Sequence, residues 1–257
     1  VRLPLAPLAV ALVLLAAARA GAAPDLAGLG FQPHPGAALP GTAQFTDAAG
    51  RPVVLGDLLR LRPSIITLGY YHCPNLCGVV RGDLFAALRQ SGLEAGQDYD
   101  VIALSIDPQE RPRDAAAAKV GDMTRFPTPG ADAAWHFLTG DSGAVARAVG
   151  YVARYDTQLG QFLHPVGVVV ATPRGTVSSY LLGVGYTAAA LRAALQRANA
   201  GFVAPAPSPL LLLCFHYDPS TGRYSFAILR ALRLFALLTA ATLAALLALL
   251  HVRRPAR

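Results

Sequence analysis

Between residues 64 and 198 the apolar positions fall into short dense runs separated by polar turns, and the runs switch between two periods. Residues 64–70 (SIITLGY) and 101–106 are continuous and rich in β-formers, the pattern of strands buried on both faces. Residues 78–90 instead place Val79, Val80, Leu84, Ala87 and Leu88 at helical spacing. The pattern further predicts a short Ala-rich helix over 114–120 and a short strand over 135–138. A helix over 142–149, capped by Asp141 or Ser142, follows. Strands over 166–171 and 177–182 are joined by the turn Thr172-Pro173-Arg174-Gly175, and an amphipathic helix over 187–198 closes the series. Upstream, residues 46–54 read as a hairpin-type turn into a short strand. Strands alternating with helices, then a late hairpin and a last helix, predict an α/β fold with a mixed central sheet flanked by helices.

The two ends have a different pattern. Residues 1–23 carry Arg2, then an apolar run, then small residues ending in an Ala-x-Ala-like stretch, which is the pattern of a secretory signal peptide. Residues 234–250 hold no charge, and Arg230, Arg233, Arg253, Arg254 and Arg257 flank them. A run of 17 such residues is at the lower limit for crossing a hydrocarbon core about 30 Å thick. The expected organisation is therefore a signal peptide (1–23), a globular domain (24–200) and a Pro-rich linker with a juxtamembrane segment (201–233). A C-terminal transmembrane helix (234–252) and a cytoplasmic tail (253–257) follow. With Arg2 held in the cytoplasm, this predicts a bacterial-type inner (plasma) membrane protein whose domain faces the periplasm or outer side.

Composition sharpens this picture. The 257 residues are 54% apolar and only 14% charged, which excludes a disordered chain. The formal charge is +7, but residues 25–200 carry 14 basic and 14 acidic side chains and are neutral. The excess sits at the two ends, so it points to lipid and requires no nucleic-acid partner. Three Cys are too few for a disulfide scaffold.

Candidate chemistry gathers at Cys73-Pro74-Asn75-Leu76-Cys77, after the first dense strand and at the start of the 78–90 helix. A helix N-terminus lowers thiol pKa values. The i, i+4 spacing brings both sulfurs to one face of a helical turn, where they can ligate one metal ion; soft thiolates favour Cu(I), with zinc as competitor. A structural disulfide is the alternative, although closing so short a loop removes little chain entropy. His164 lies 87 residues beyond Cys77, immediately before Pro165 and a strand.

Taken together, Thr46-x-x-x-Gly50, Tyr70-x-x-Cys73-Pro74-x-x-Cys77, Leu104-Ser105-Ile106-Asp107-Pro108, Trp135-His136-Phe137-Leu138-Thr139-Gly140 and His164 resemble the Sco/SenC family over about residues 40–198. The resemblance implies a thioredoxin-like fold and a membrane-tethered metallochaperone that assists assembly of the copper centre of cytochrome c oxidase. It implies copper, as Cu(I) and also Cu(II), held by Cys73, Cys77 and His164, and a disulfide state of the cysteine pair. The implied partners are the copper-bearing oxidase subunit, a copper donor or thiol reductant, and membrane lipid. Two departures stand out: Leu163 occupies a position usually acidic in the family, and the anchor is C-terminal rather than N-terminal.

A second class of function uses the same residues. Cys73 and Cys77 alone could serve as the redox-active pair of a thiol–disulfide oxidoreductase acting on an oxidase subunit or another exported protein. His164 discriminates, since a dithiol needs no distant imidazole. A copper-responsive or redox-sensing membrane protein is a third class. Cys214 and His216 form a weak second soft pair, and Asp107-Pro108 reads as a turn. His72 adjoins Cys73 with its ring expected to point away from the sulfur, while His34 and His136 read as ordinary loop and strand-end residues.

Overall fold

The computed structural model describes residues 28–60, 62–73, 77–207, 217–218, 223–224, 234–240 and 242–243. Its centre is a mixed seven-stranded sheet. The strands of this region are β1 (Gly30–Phe31), β2 (Gln44–Asp47), β3 (Pro52–Val54), β4 (Ser64–Gly69), β5 (Asp100–Ser105), β6 (Trp135–Thr139), β7 (Tyr151–Val152), β8 (Arg154–Asp156), β9 (Gln161–Leu163), β10 (Gly167–Ala171) and β11 (Val177–Leu182). The seven-stranded order is β11-β10-β4-β5-β6-β2-β3, while β1 pairs with β7 and β8 with β9. β4, β5 and β6 are mutually parallel, and β10 joins β4 antiparallel with Val169 opposite Ile66.

The helices are α1 (Leu55–Leu58), α2 (Cys77–Ser91), α3 (Pro112–Arg125), α4 (Ala131–Ala134), α5 (Gly143–Ala148) and α6 (Ala188–Asn199). Successive strand side chains alternate between faces, so each continuous apolar run feeds two cores. Ile65, Val101, Ala103, Val168 and Val170 point into one core with Leu84 and Phe85 of α2 and Leu191 and Leu195 of α6. Ile66, Leu68, Ile102, Leu104 and Val169 point into the other, with Leu55 of α1 and Val145 of α5. Phe85 stacks on Trp135 at 3.9 Å between ring centroids, which fixes α2 against the sheet.

The predicted strands and long helices lie within a few residues of their expected positions. α3 runs 112–125 rather than 114–120, because Pro112 opens it and Asp114 accepts the Arg111 N–H at 2.7 Å. Asp141 does not cap α5 in the expected way: its carboxylate accepts the Gly143 N–H at 2.8 Å, while Ser142 occupies the cap position without a side-chain bond. The β8–β9 hairpin and the β1–β7 pair were not predicted.

The expected C-terminal transmembrane helix is corrected. Among the described residues no helix is long and apolar enough to cross a membrane. Helix is found at 234–240 and 242–243. The single-span location in a bacterial-type inner membrane falls with it. The signal-peptide stretch 1–23, and Cys214 with His216, lie outside the described residues.

Candidate metal centre

The sheet register brings the site together. Since β10 runs antiparallel to β4, the residues entering β10 return beside those leaving β4. Cys73 follows β4 by a short loop, Cys77 opens α2, and His164 sits between β9 and β10. One ligand atom from each of Cys73, Cys77 and His164 lies within 4.8 Å of the others, and among the described residues this is the group of its kind that can hold a metal ion. Cys77 and His164 are buried, at 4% and 6% exposure, whereas Cys73 is half-buried.

The imidazole is held in one tautomer. His164 Nδ1 lies 2.9 Å from the Pro165 carbonyl oxygen. A carbonyl only accepts, so Nδ1 carries the proton and Nε2 carries the lone pair. That Nε2 is 3.2 Å from Cys77 Sγ. Two aromatic rings pack on the imidazole: Tyr151 stacks on it and Tyr70 meets it edge-on, each at 6.0 Å between centroids. Tyr151 is itself fixed by donating to the Leu68 carbonyl at 3.0 Å.

Both cysteines are thiols whose side chains are hydrogen-bonded to each other. The Cys77 thiol is pushed far up, first by its hydrogen bond with Cys73, then by burial and by the Cys73 charge; the Tyr70 backbone and the Arg81 guanidinium oppose this. This differs from the lowering that the helix N-terminus alone predicts, because burial and the paired sulfur outweigh the terminal N–H groups. Burial and the adjacent Cys73 likewise push the Tyr70 phenol up. Gly69 leaves room for the sulfur: a Cβ there would stand 3.4 Å from Cys77 Sγ.

Two nearby polar groups have no local sequence signal. Arg81, one helical turn beyond Cys77, lines the same pocket, and its Nε donates to Asp122 Oδ2 at 2.6 Å with both residues buried. Glu110 is buried beneath the Cys73 loop and accepts the His72 N–H at 2.8 Å. Each pair spans about 40 residues of sequence, so only the folded sheet brings it together. The His72 ring faces Glu110 and Asp114, at 3.2 and 3.7 Å, as its expected direction away from the sulfurs requires. His34 donates its backbone N–H to the Tyr180 hydroxyl, and His136 lies within β6, so neither joins the centre. Asp107 caps a turn by accepting the Gln109 N–H at 2.8 Å. Leu163 is fully buried, which gives the departure from an acidic residue a packing reason.

A family model described as SCO1/SenC matches residues 32–198. The chain belongs to the SCO1/SenC family. Among solved structures, an Aquifex aeolicus VF5 protein is similar at 24% identity and TM-score 0.57, covering 64% of this chain and 94% of that one. A SCO1/SenC family lipoprotein from Bacillus anthracis str. Ames is similar at 19% identity and TM-score 0.52, covering 63% and 96%. Arabidopsis thaliana ScoI with copper bound is similar at 17% identity and TM-score 0.50, covering 65% and 99%. At these identities the likeness speaks for the fold, a mixed α/β thioredoxin-like Sco fold. No curated protein matches the chain.

Proposed function

We propose that this SCO1/SenC protein binds copper as cargo through Cys73 Sγ, Cys77 Sγ and His164 Nε2 and assists assembly of the copper centre of cytochrome c oxidase. The observation that carries the reading is the approach of two soft sulfurs and one lone-pair nitrogen within 4.8 Å. That donor set fits copper: thiolates select Cu(I), and an imidazole suits either oxidation state. A three-donor set leaves an open side through which an acceptor's own thiolate or imidazole can enter and take over the ion. Cys73 is the more accessible of the three, so ligand exchange begins there, while buried Cys77 and His164 retain the ion until the acceptor engages. The copper-bearing oxidase subunit is the acceptor that family membership implies.

The hydrogen bond between the two sulfurs favours one further reading, thiol–disulfide exchange. Half-buried Cys73 would attack a target disulfide, and Cys77 would displace the mixed disulfide. The target then gains two electrons and two protons as the Cys73–Cys77 bond forms.

Anaerobic titration of the reduced chain with Cu(I), against a competing chelator, tests the copper reading. One tightly bound Cu(I), weakened by both Cys73→Ser and His164→Ala, supports it. Absence of tight binding in the unmodified protein overturns it. Unchanged binding in His164→Ala removes the imidazole and leaves the thiol pair.

A further inference from the structure

Of the three ligands, Cys77 is set by a helix and His164 by a strand and two aromatic rings, but Cys73 sits in the loop after β4. One buried carboxylate grips that loop. The Glu110 side chain is only 2% exposed, and both its oxygens are used. Oε1 accepts the His72 backbone N–H at 2.8 Å and faces the His72 Nδ1 at 3.2 Å. Oε2 accepts the Ser105 hydroxyl at 2.5 Å.

The anchor behind Glu110 is rigid. Ser105 ends β5, is 1% exposed and lies opposite Gly69 in the parallel β4–β5 pair. Its Oγ also accepts the Asp107 N–H at 3.1 Å, tying the turn that carries Glu110 to the same strand end. The Ile106 N–H donates to the Gly69 carbonyl at 2.8 Å and the Tyr71 hydroxyl lies 2.9 Å from the Ala103 and Leu138 carbonyls, so the chain leaving β4 is tied down as far as Tyr71, and Glu110 supplies the next hold, one residue before Cys73. A carboxylate is costly to bury, and here every partner it has serves this link.

We propose that Glu110 is a positioning residue for the metal centre: by accepting the His72 N–H it holds Cys73 at ligand distance from Cys77 and His164. The proposal rests on the copper reading for its consequence, but its physical content is the placement of one sulfur. Loss of the acceptor releases the His72 N–H and loosens Cys73 beyond the Tyr71 anchor. The buried pair Cys77–His164 stays in place.

The full chain with Glu110→Ala, Glu110→Gln and Glu110→Asp tests this with two readouts. One is Cu(I) affinity by chelator competition. The other is iodoacetamide alkylation of the reduced, metal-free protein, resolved by peptide mass into Cys73 and Cys77. Glu110→Ala is expected to bind Cu(I) about 10- to 100-fold more weakly, the usual effect of losing a residue that orients a ligand. Cys73 alkylation rises severalfold in that variant while Cys77 is unchanged. Glu110→Gln keeps an oxygen for the His72 N–H and restores both readouts. Glu110→Asp keeps the charge but is too short to bridge Ser105 and His72, so it behaves like Glu110→Ala; this pair decides the matter should the alanine variant fail to fold. Wild-type behaviour of Glu110→Asp, or a defect in Glu110→Gln as large as in Glu110→Asp, overturns the proposal. Failure of the unmodified chain to bind Cu(I) removes the copper reading, and the alkylation pattern still decides the placement of Cys73.

Discussion

His164 presents its unprotonated Nε2 to Cys77 Sγ at 3.2 Å, with the opposite ring nitrogen tied to the Pro165 carbonyl at 2.9 Å. The imidazole needs no tautomer change to become a ligand, and Tyr70 and Tyr151 leave its ring little freedom to turn away. Such preorganisation reduces the ordering cost of metal binding.

The space around the buried sulfur is limited. A Cβ at residue 69 would lie 3.4 Å from Cys77 Sγ, and the γ-carbons of a valine would have to go beyond it. Gly69→Val is expected to weaken Cu(I) binding about tenfold or more by displacing that sulfur, with a loss of about 1–3 kcal/mol in stability from overpacking. Chelator competition and urea unfolding measure the two effects. Unchanged affinity would show that the sulfur has room to move.

The buried Arg81–Asp122 pair is a second structural liability beside the site, with Nε and Oδ2 2.6 Å apart. Asp122→Ala strands the guanidinium and is expected to cost about 3–5 kcal/mol, read as a lower urea midpoint. The double variant Arg81→Met, Asp122→Leu removes both charges and is expected to recover most of that loss. A double variant as unstable as Asp122→Ala would assign the loss to packing rather than to the stranded charge.

Stability should also respond to pH through His136. Burial lowers its pKa below the ordinary 6.5; the Asp100 and Asp47 carboxylates oppose this, and Lys119 and Arg62 reinforce it. A depressed folded-state pKa means that the unfolded chain binds the proton first. His136 therefore favours the fold fully above pH 6.5, and that contribution is lost as pH falls from there through the folded-state pKa. Replacement by Gln is expected to flatten the dependence of the unfolding midpoint in this acid window. An unaltered slope would assign the pH response to other groups.

How much of this was legible in the sequence depended on how local the cause was. The runs at 64–70 and 101–106 were readable because strands covered on both faces must be apolar throughout, and they became β4 and β5. β8 and β9 were missed because Arg154–Asp156 and Gln161–Leu163 are only three residues each, too short for an alternation of polar and apolar positions to stand out. Yet this hairpin delivers the chain to His164. Cys73 and Cys77 were visible as a spaced pair, whereas the role proposed for His164 came from family resemblance and its geometry from the β4–β10 register. Glu110 and Arg81 were invisible, since their partners lie about 40 residues away and nothing local distinguishes a buried charge from a solvated one. The transmembrane expectation failed for a related reason. An uncharged apolar run meets the composition of a span, but composition does not establish one unbroken helix of sufficient length.

X-ray absorption at the copper edge of the anaerobically Cu(I)-loaded chain tests the central claim most directly, because it counts the atoms around the ion. The account predicts two sulfurs and one nitrogen from Cys73, Cys77 and His164, with the nitrogen lost in His164→Ala. Two sulfurs without nitrogen in the unmodified chain, or the same spectrum in His164→Ala, would contradict it.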